Sequence, residues 1–257
     1  MLAPITKFIK SMSIPSLEHH TSNWRKYLIA GTVAVLLFIG ISIYIFLRRG
    51  YFDLYIANKV FAGVAFLLIA IVLLIGPLTR LYQVFDGWMM YRKELGVLAF
   101  LLALLHSVIS LFLLPDHFPF AYFINNAFTT ILGILAVIVL AFLFTISRQK
   151  ILSRIDHHFW WKMQFWGIRI AGTLIFFHVF LLKWSGWIQW YVKGGSSDLL
   201  RPYLPGASLI IAPFGLFVLG VRIVELAMPI KITRIAVPIL LGVYILWLGI
   251  TAMWHIN

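Results

Sequence analysis

Two histidines stand in the middle of segments that carry almost no charge. His106 lies in the run 95–115, and His178 lies in the run 163–182, which only Arg169 interrupts. The other six histidines (His19, His20, His117, His157, His158 and His255) fall at or beyond the ends of such runs. An imidazole without a partner is costly in hydrocarbon, so an ionisable residue at that depth is a functional candidate by default. A neutral imidazole can ligate a metal, relay a proton, or hydrogen-bond across helices as packing glue. A lone buried histidine favours the last of these. Two that can face each other favour a shared ligand.

The segments that must position them are membrane spans. Charge-poor runs cover 27–47, 60–79, 95–115, the stretch after Asp116 to Ser147 with a helix starting near Tyr122, 163–182, 202–221 and 235–254. Each is about 20 residues or longer, enough to cross a hydrocarbon core roughly 30 Å thick. The expected fold class is therefore an all-α polytopic membrane bundle of about seven transmembrane helices. Residues 27–257 form one transmembrane domain behind a cytoplasmic N-terminal segment, 1–26. The first 24 residues are Ser-rich with no clear cleavage site and do not read as a signal peptide.

Composition agrees. Of 257 residues, 62% are hydrophobic and only 11% charged, with a mean hydropathy of +0.98; a soluble domain carries roughly a quarter charged residues. All eight acidic residues fall outside the seven runs. With the N-terminus placed in the cytoplasm, fourteen lysines and arginines fall on the inner side and six on the outer. The positive-inside rule then puts the C-terminus outside. Trp160, Trp161, Trp184, Trp187 and Trp190 flank the fifth span, where aromatic belts belong. The net charge of +13 is thus membrane topology, and no compact basic stripe suggests nucleic acid. The absence of cysteine excludes disulfides, iron–sulfur clusters and thioether-linked haem. No phosphate-binding glycine loop follows a strand, so the chain has no nicotinamide-binding domain of its own.

The two histidines can share a ligand. The third and fifth spans both run from inside to outside. His106 is about 17 Å and His178 about 23 Å from the inner end of its span at the helical rise, within the error of span boundaries. Two neutral imidazoles at one level in a bundle can hold haem iron. Ala99, Ala103 and Ser107 near His106, and Ala171 and Gly172 before His178, leave space for a flat macrocycle or for close helix packing.

The stretch from Arg92-Lys93-Glu94-Leu95-Gly96 to His106, the preceding Gly76-Pro77-Leu78-Thr79-Arg80, and Trp161-Lys162-Met163-Gln164 through Arg169 to His178 resemble ferric reductase-like transmembrane proteins. The resemblance covers about residues 58–185. In style it is nearest the membrane haem subunit of the bacterial periplasmic methionine sulfoxide reductase system, and further from ferric reductases and NADPH oxidases. It implies a six-helix core, haem b, and localisation as a multi-pass protein of the bacterial inner membrane. The family pattern pairs each outer histidine with another 13 or 14 residues earlier, carrying a second haem. Here those positions hold Arg92 and Gln164. Fourteen residues fall about 40° short of four helical turns, so both share a face with their downstream histidine, roughly 21 Å lower. The methionine sulfoxide reductase subunits keep a histidine where Gln164 stands, so the chain departs from that group.

The expectation is a cytochrome b-type electron-transfer protein with one bis-histidine haem near the outer face. If it is an enzyme, it is an oxidoreductase component. Electrons would come from quinol in the lipid, or from a flavin such as FMN at the inner side, and pass to a periplasmic redox protein. Arg169 offers a partner for a haem propionate or quinone oxygen, or a charge bonding helix carbonyls. Gln164 is a poor iron ligand whose amide would hydrogen-bond a neighbour. Two other classes stay open: a transporter relaying protons through its histidines, and a haem-free structural subunit.

Overall fold

A computed structural model describes residues 23–83, 86–148, 151 and 153–255. Among the described residues eight α-helices follow in order: α1 (Asn23–Arg49), α2 (Leu54–Tyr82), α3 (Arg92–Val108), α4 (Phe120–Asn125), α5 (Ala127–Ile146), α6 (His157–Lys193), α7 (Ala207–Ala227) and α8 (Ile230–Met253). A 3-10 turn, Asp86–Tyr91, leads into α3, and a π turn, Ile109–Leu113, continues it. There is no strand among the described residues. Among the described residues seven helices, all but the short α4, are long and apolar enough to cross a membrane. The molecule is an all-α polytopic helix bundle.

The spans run further than the charge-free segments suggest. Lysine and arginine are good helix formers, so a charge at a span end does not end the helix. The residues that do end helices are cappers and breakers. The Asp53 carboxylate accepts from the Ile56 N–H at 2.7 Å and starts α2. Asp156 does the same for α6 through the Phe159 N–H at 2.8 Å. Gln83, with a φ of 58°, closes α2 in the left-handed conformation. The fourth run holds two helices, because the chain breaks at Asn126 between α4 and α5. The sixth begins at Ala207, not at 202, since Pro202 and Pro205 lie in the preceding loop. Only Met228 and Pro229 separate α7 from α8. The expected N-terminal segment 1–26 lies mostly outside the described residues; its last four are already helical.

Helix α2 is the axis of the bundle. It packs against α1, α3, α6 and α7. Its Val60, Val64, Leu68 and Leu73 are almost completely buried. Glycines bring the neighbours close. A Cβ at Gly172 of α6 would lie 2.6 Å from Leu73 Cδ1, and one at Gly215 of α7 would strike the Phe66 ring. Gly172 therefore serves the α2–α6 contact. Helices α5 and α8 turn apolar side chains such as Ile138, Ile245 and Leu246 outward, as a lipid-facing surface requires.

The spans alternate in direction. The start of α1 marks one end of the bundle, here the N end. There the close of α2 meets the start of α8: Tyr82 donates to the Arg234 carbonyl and Arg234 to that of Leu81, both at 2.9 Å. At the far end Arg48, near the close of α1, donates to the Leu204 carbonyl just before α7.

Candidate functional site

Four helices surround the histidine site. Helices α3 and α6 stand at opposite corners, each packed against α2 and α5 rather than closely against one another. His106 is near the close of α3, and His178 is on the far half of α6. The two imidazoles lie within electrostatic range of each other.

Each imidazole is held through the same nitrogen. His106 Nδ1 is 3.1 Å from the Asn58 carbonyl and 2.9 Å from Asn58 Oδ1. His178 Nδ1 is 2.7 Å from the Thr129 carbonyl. A backbone carbonyl only accepts, so in both rings Nδ1 carries the proton and donates. The lone pair is then left on Nε2, and among the described residues neither Nε2 makes a hydrogen bond. Such a second contact orients a ligating histidine and raises its basicity.

Local structure explains both contacts. Asn58, completely buried near the start of α2, is itself fixed by donating to Ser110 Oγ at 2.8 Å. Ser110 sits in the π turn, an arrangement that recurs at functional sites. On the other side, Gly133 of α5 lies beneath the His178 ring; a Cβ there would come within 3.0 Å of Nδ1. Without that side chain the ring can reach the carbonyl one turn earlier.

Beyond the histidines, towards the far end, stand Lys59 and Lys183. Their ammonium groups lie close enough to repel one another, and Lys183 lies within electrostatic range of both histidines. The Lys59 ammonium lies 3.6 Å from the centre of the Tyr55 ring, which stacks on His117 at 4.2 Å. Both lysines are inside helices rather than in loops.

Gln164 and Arg169 are not brought to the histidines. Gln164 donates to Ser147 Oγ at 2.7 Å and to the Leu143 carbonyl at 3.2 Å, tying α6 to α5. Around it the interior is filled. Leu143 packs over Gly167, and Phe100 of α3 stacks on Phe144 of α5 at 5.2 Å. Arg169 donates to the Phe165 carbonyl at 2.6 Å and lies over the Phe165 ring.

Arg169 also belongs to a charged cluster at the N end. Glu225 of α7 pairs with Arg222 at 2.6 Å, Arg169 at 3.6 Å and Arg80 at 3.7 Å. Arg92 is within electrostatic range of Arg222 and Glu225. One sequence expectation changes here. Acidic side chains do fall within the spanning helices: Glu94 in the first turn of α3 and Glu225 near the close of α7.

Asn58, Lys59, Lys183, Arg222 and Glu225 are residues of these sites that sequence reasoning passed over. Asn58 had a visible signal: it is the only carboxamide in α2. The others look like ordinary flanking charges.

No group of three or more potential metal-ligating side chains occurs among the described residues. Two imidazoles alone are too few for a bare transition-metal ion, which asks for about four protein ligands in a closed site. An iron whose remaining ligands a macrocycle would supply needs only two. The donor set, its fixed tautomers and the adjacent lysines fit haem b. Compared with protein-family models and with curated proteins, the chain matches none.

Proposed function

We propose that the chain is a membrane cytochrome b-type electron-transfer protein, similar to ferric reductase-like proteins, with one haem b between His106 and His178. The observation that carries this reading is the shared state of the two rings. Both give Nδ1–H to a backbone carbonyl, and both keep the Nε2 lone pair uncommitted. Packing glue would use both nitrogens or leave no such symmetry. Haem held there supplies reversible one-electron transfer. Asn58 and Thr129 orient the two ligands. Lys59 and Lys183 offer charge to the propionates, the role first considered for Arg169.

A single haem is supported by the filled N-end interior, where Gln164 hydrogen-bonds to α5 and Phe100 stacks on Phe144. With the N end in the cytoplasm of a bacterial inner membrane, the haem lies towards the periplasm. Electrons then arrive from the quinone pool or a bound flavin and leave to a periplasmic redox protein. Glu225 lends little to a proton-transporting alternative, because three arginines hold its carboxylate.

The test is spectroscopic. Protein purified after haem-supplemented expression should be red, with a sharp reduced α band. Colourless, folded protein would sink the proposal. Oxidised protein mixed separately with a quinol and with a reduced flavin then identifies the donor by which one reduces the band.

A further inference from the structure

The N-end cluster holds more positive charge than its own residues neutralise. Arg169 of α6 and Arg222 of α7 are 8% and 5% exposed. Their shared carboxylate is Glu225, which also pairs with Arg80, and Arg92 is close by. Three guanidinium groups thus pair with one carboxylate, and a fourth, that of Arg92, lies within electrostatic range of it. Each guanidinium carries five N–H donors in a planar fork. Among the described residues Arg222 donates to Glu225, and Arg169 to the Phe165 carbonyl. The Nε atoms of Arg92, Arg169 and Arg222 are buried without a partner.

Buried charge of one sign needs a counter-charge, and the cost of leaving it unpaired is several kcal/mol per ion. The fold nevertheless makes room for it. A Cβ at Gly76 would lie 3.1 Å from Arg222 Nη2, so a glycine in α2 admits the guanidinium. Convergence of arginines from α2, α3, α6 and α7 suits an anion with several oxygens, which can take a fork from each side.

We propose that this cluster binds one phosphate group, held by Arg169 and Arg222 with Arg80 and Arg92 alongside, and that its occupant is the headgroup of an anionic phospholipid. Depth favours a lipid. Arg80 is two residues from the close of α2, and Arg222 five residues from the close of α7. Both lie where span ends meet the headgroup layer. The Arg80 side chain is 53% exposed, so the cluster opens to the bundle surface at that level. A lipid phosphate is already there; a soluble phosphate shares the chemistry and would have to enter from water.

The site is independent of the histidines, and its test has its own readout. Delipidated full-length protein is offered phosphatidylglycerol or phosphatidylcholine in mixed micelles, and retained lipid is counted by native mass spectrometry. A parallel thermal-shift series uses inorganic phosphate alone. Phosphatidylglycerol should be retained about tenfold or more over phosphatidylcholine, whose phosphate brings a quaternary ammonium of like charge to the arginines. R222Q should erase that preference. R80Q, at the exposed side, should reduce it several-fold without disturbing the fold, and so carries the test should R222Q fail to fold. E225Q removes the internal competitor and should raise retention. Equal retention of the two lipids, or a preference untouched by R80Q, overturns the proposal. Stabilisation by inorganic phosphate with no lipid preference overturns the lipid assignment and gives the cluster to a soluble phosphate. The haem spectrum of each sample reports separately on the histidine site.

Discussion

At the far end of the bundle, His106 and His178 are held by backbone carbonyls and one asparagine; at the N end, three arginines pair with one glutamate and a fourth lies near it. Both regions bury polar groups at span depth, yet they solve the desolvation problem differently. The far end uses neutral groups. A neutral imidazole can satisfy one nitrogen and leave the other open at modest cost. The N end uses ions, and ions that stay buried need compensating charge. An open lone pair on a neutral ring suits a metal, and an excess of cationic donors suits an anion. The two ends of the bundle therefore offer different chemistries.

The comparison breaks first at the histidines. H106A and H178A should each abolish bis-histidine haem, seen as loss of the reduced α band in folded protein. Loss from only one would reject the pairing of the two histidines on one haem. The next largest effect belongs to Glu225. E225Q leaves Arg169 and Arg222 buried without a carboxylate and should cost about 3–5 kcal/mol in stability. Thermal denaturation in detergent measures it, and added phosphatidylglycerol should return part of the loss.

N58A separates ligand from support. His106 keeps the residue-58 carbonyl as acceptor but loses Oδ1, and Ser110 loses its donor. Outer contacts of this kind change affinity roughly 10–100-fold, so haem should titrate more weakly while the bis-histidine spectrum persists. G133A pushes a methyl against His178 Nδ1 and should cost about 1–3 kcal/mol through overpacking. A shifted reduction potential would show that the ring itself has moved. Smallest is Q164A, which removes the α5–α6 amide contact for about 1 kcal/mol. Its haem spectrum should be unchanged; a lost spectrum would tie Gln164 to the haem site after all.

Much of the architecture was legible in the residue order. Hydropathy located all seven spans, and the alternation follows from their short connections. The two histidines stood out because few ionisable groups lie that deep. The amide of Gln164 makes the kind of hydrogen bond its chemistry suggested. Span ends were harder to read. A charge-free run stops at the first lysine or arginine, whereas a helix stops only where a cap or proline ends it. That difference hid Lys59, Lys183, Arg222 and Glu225 among apparent flanking charges. It also made Arg169 look like the single charged residue within a span.

From its sequence alone, this protein is determined to be a helical membrane bundle with two imidazoles at span depth. Apolar length and the cost of burying charge act along the chain, so one dimension suffices to read them. Only the tertiary structure decides that Asn58 and Thr129 hold the two rings by Nδ1, or that Arg169 answers to Glu225 rather than to the histidines. Those pairings join residues nearly fifty or more positions apart. They depend on which helix faces stand across from one another, and short-range sequence pattern carries no record of that.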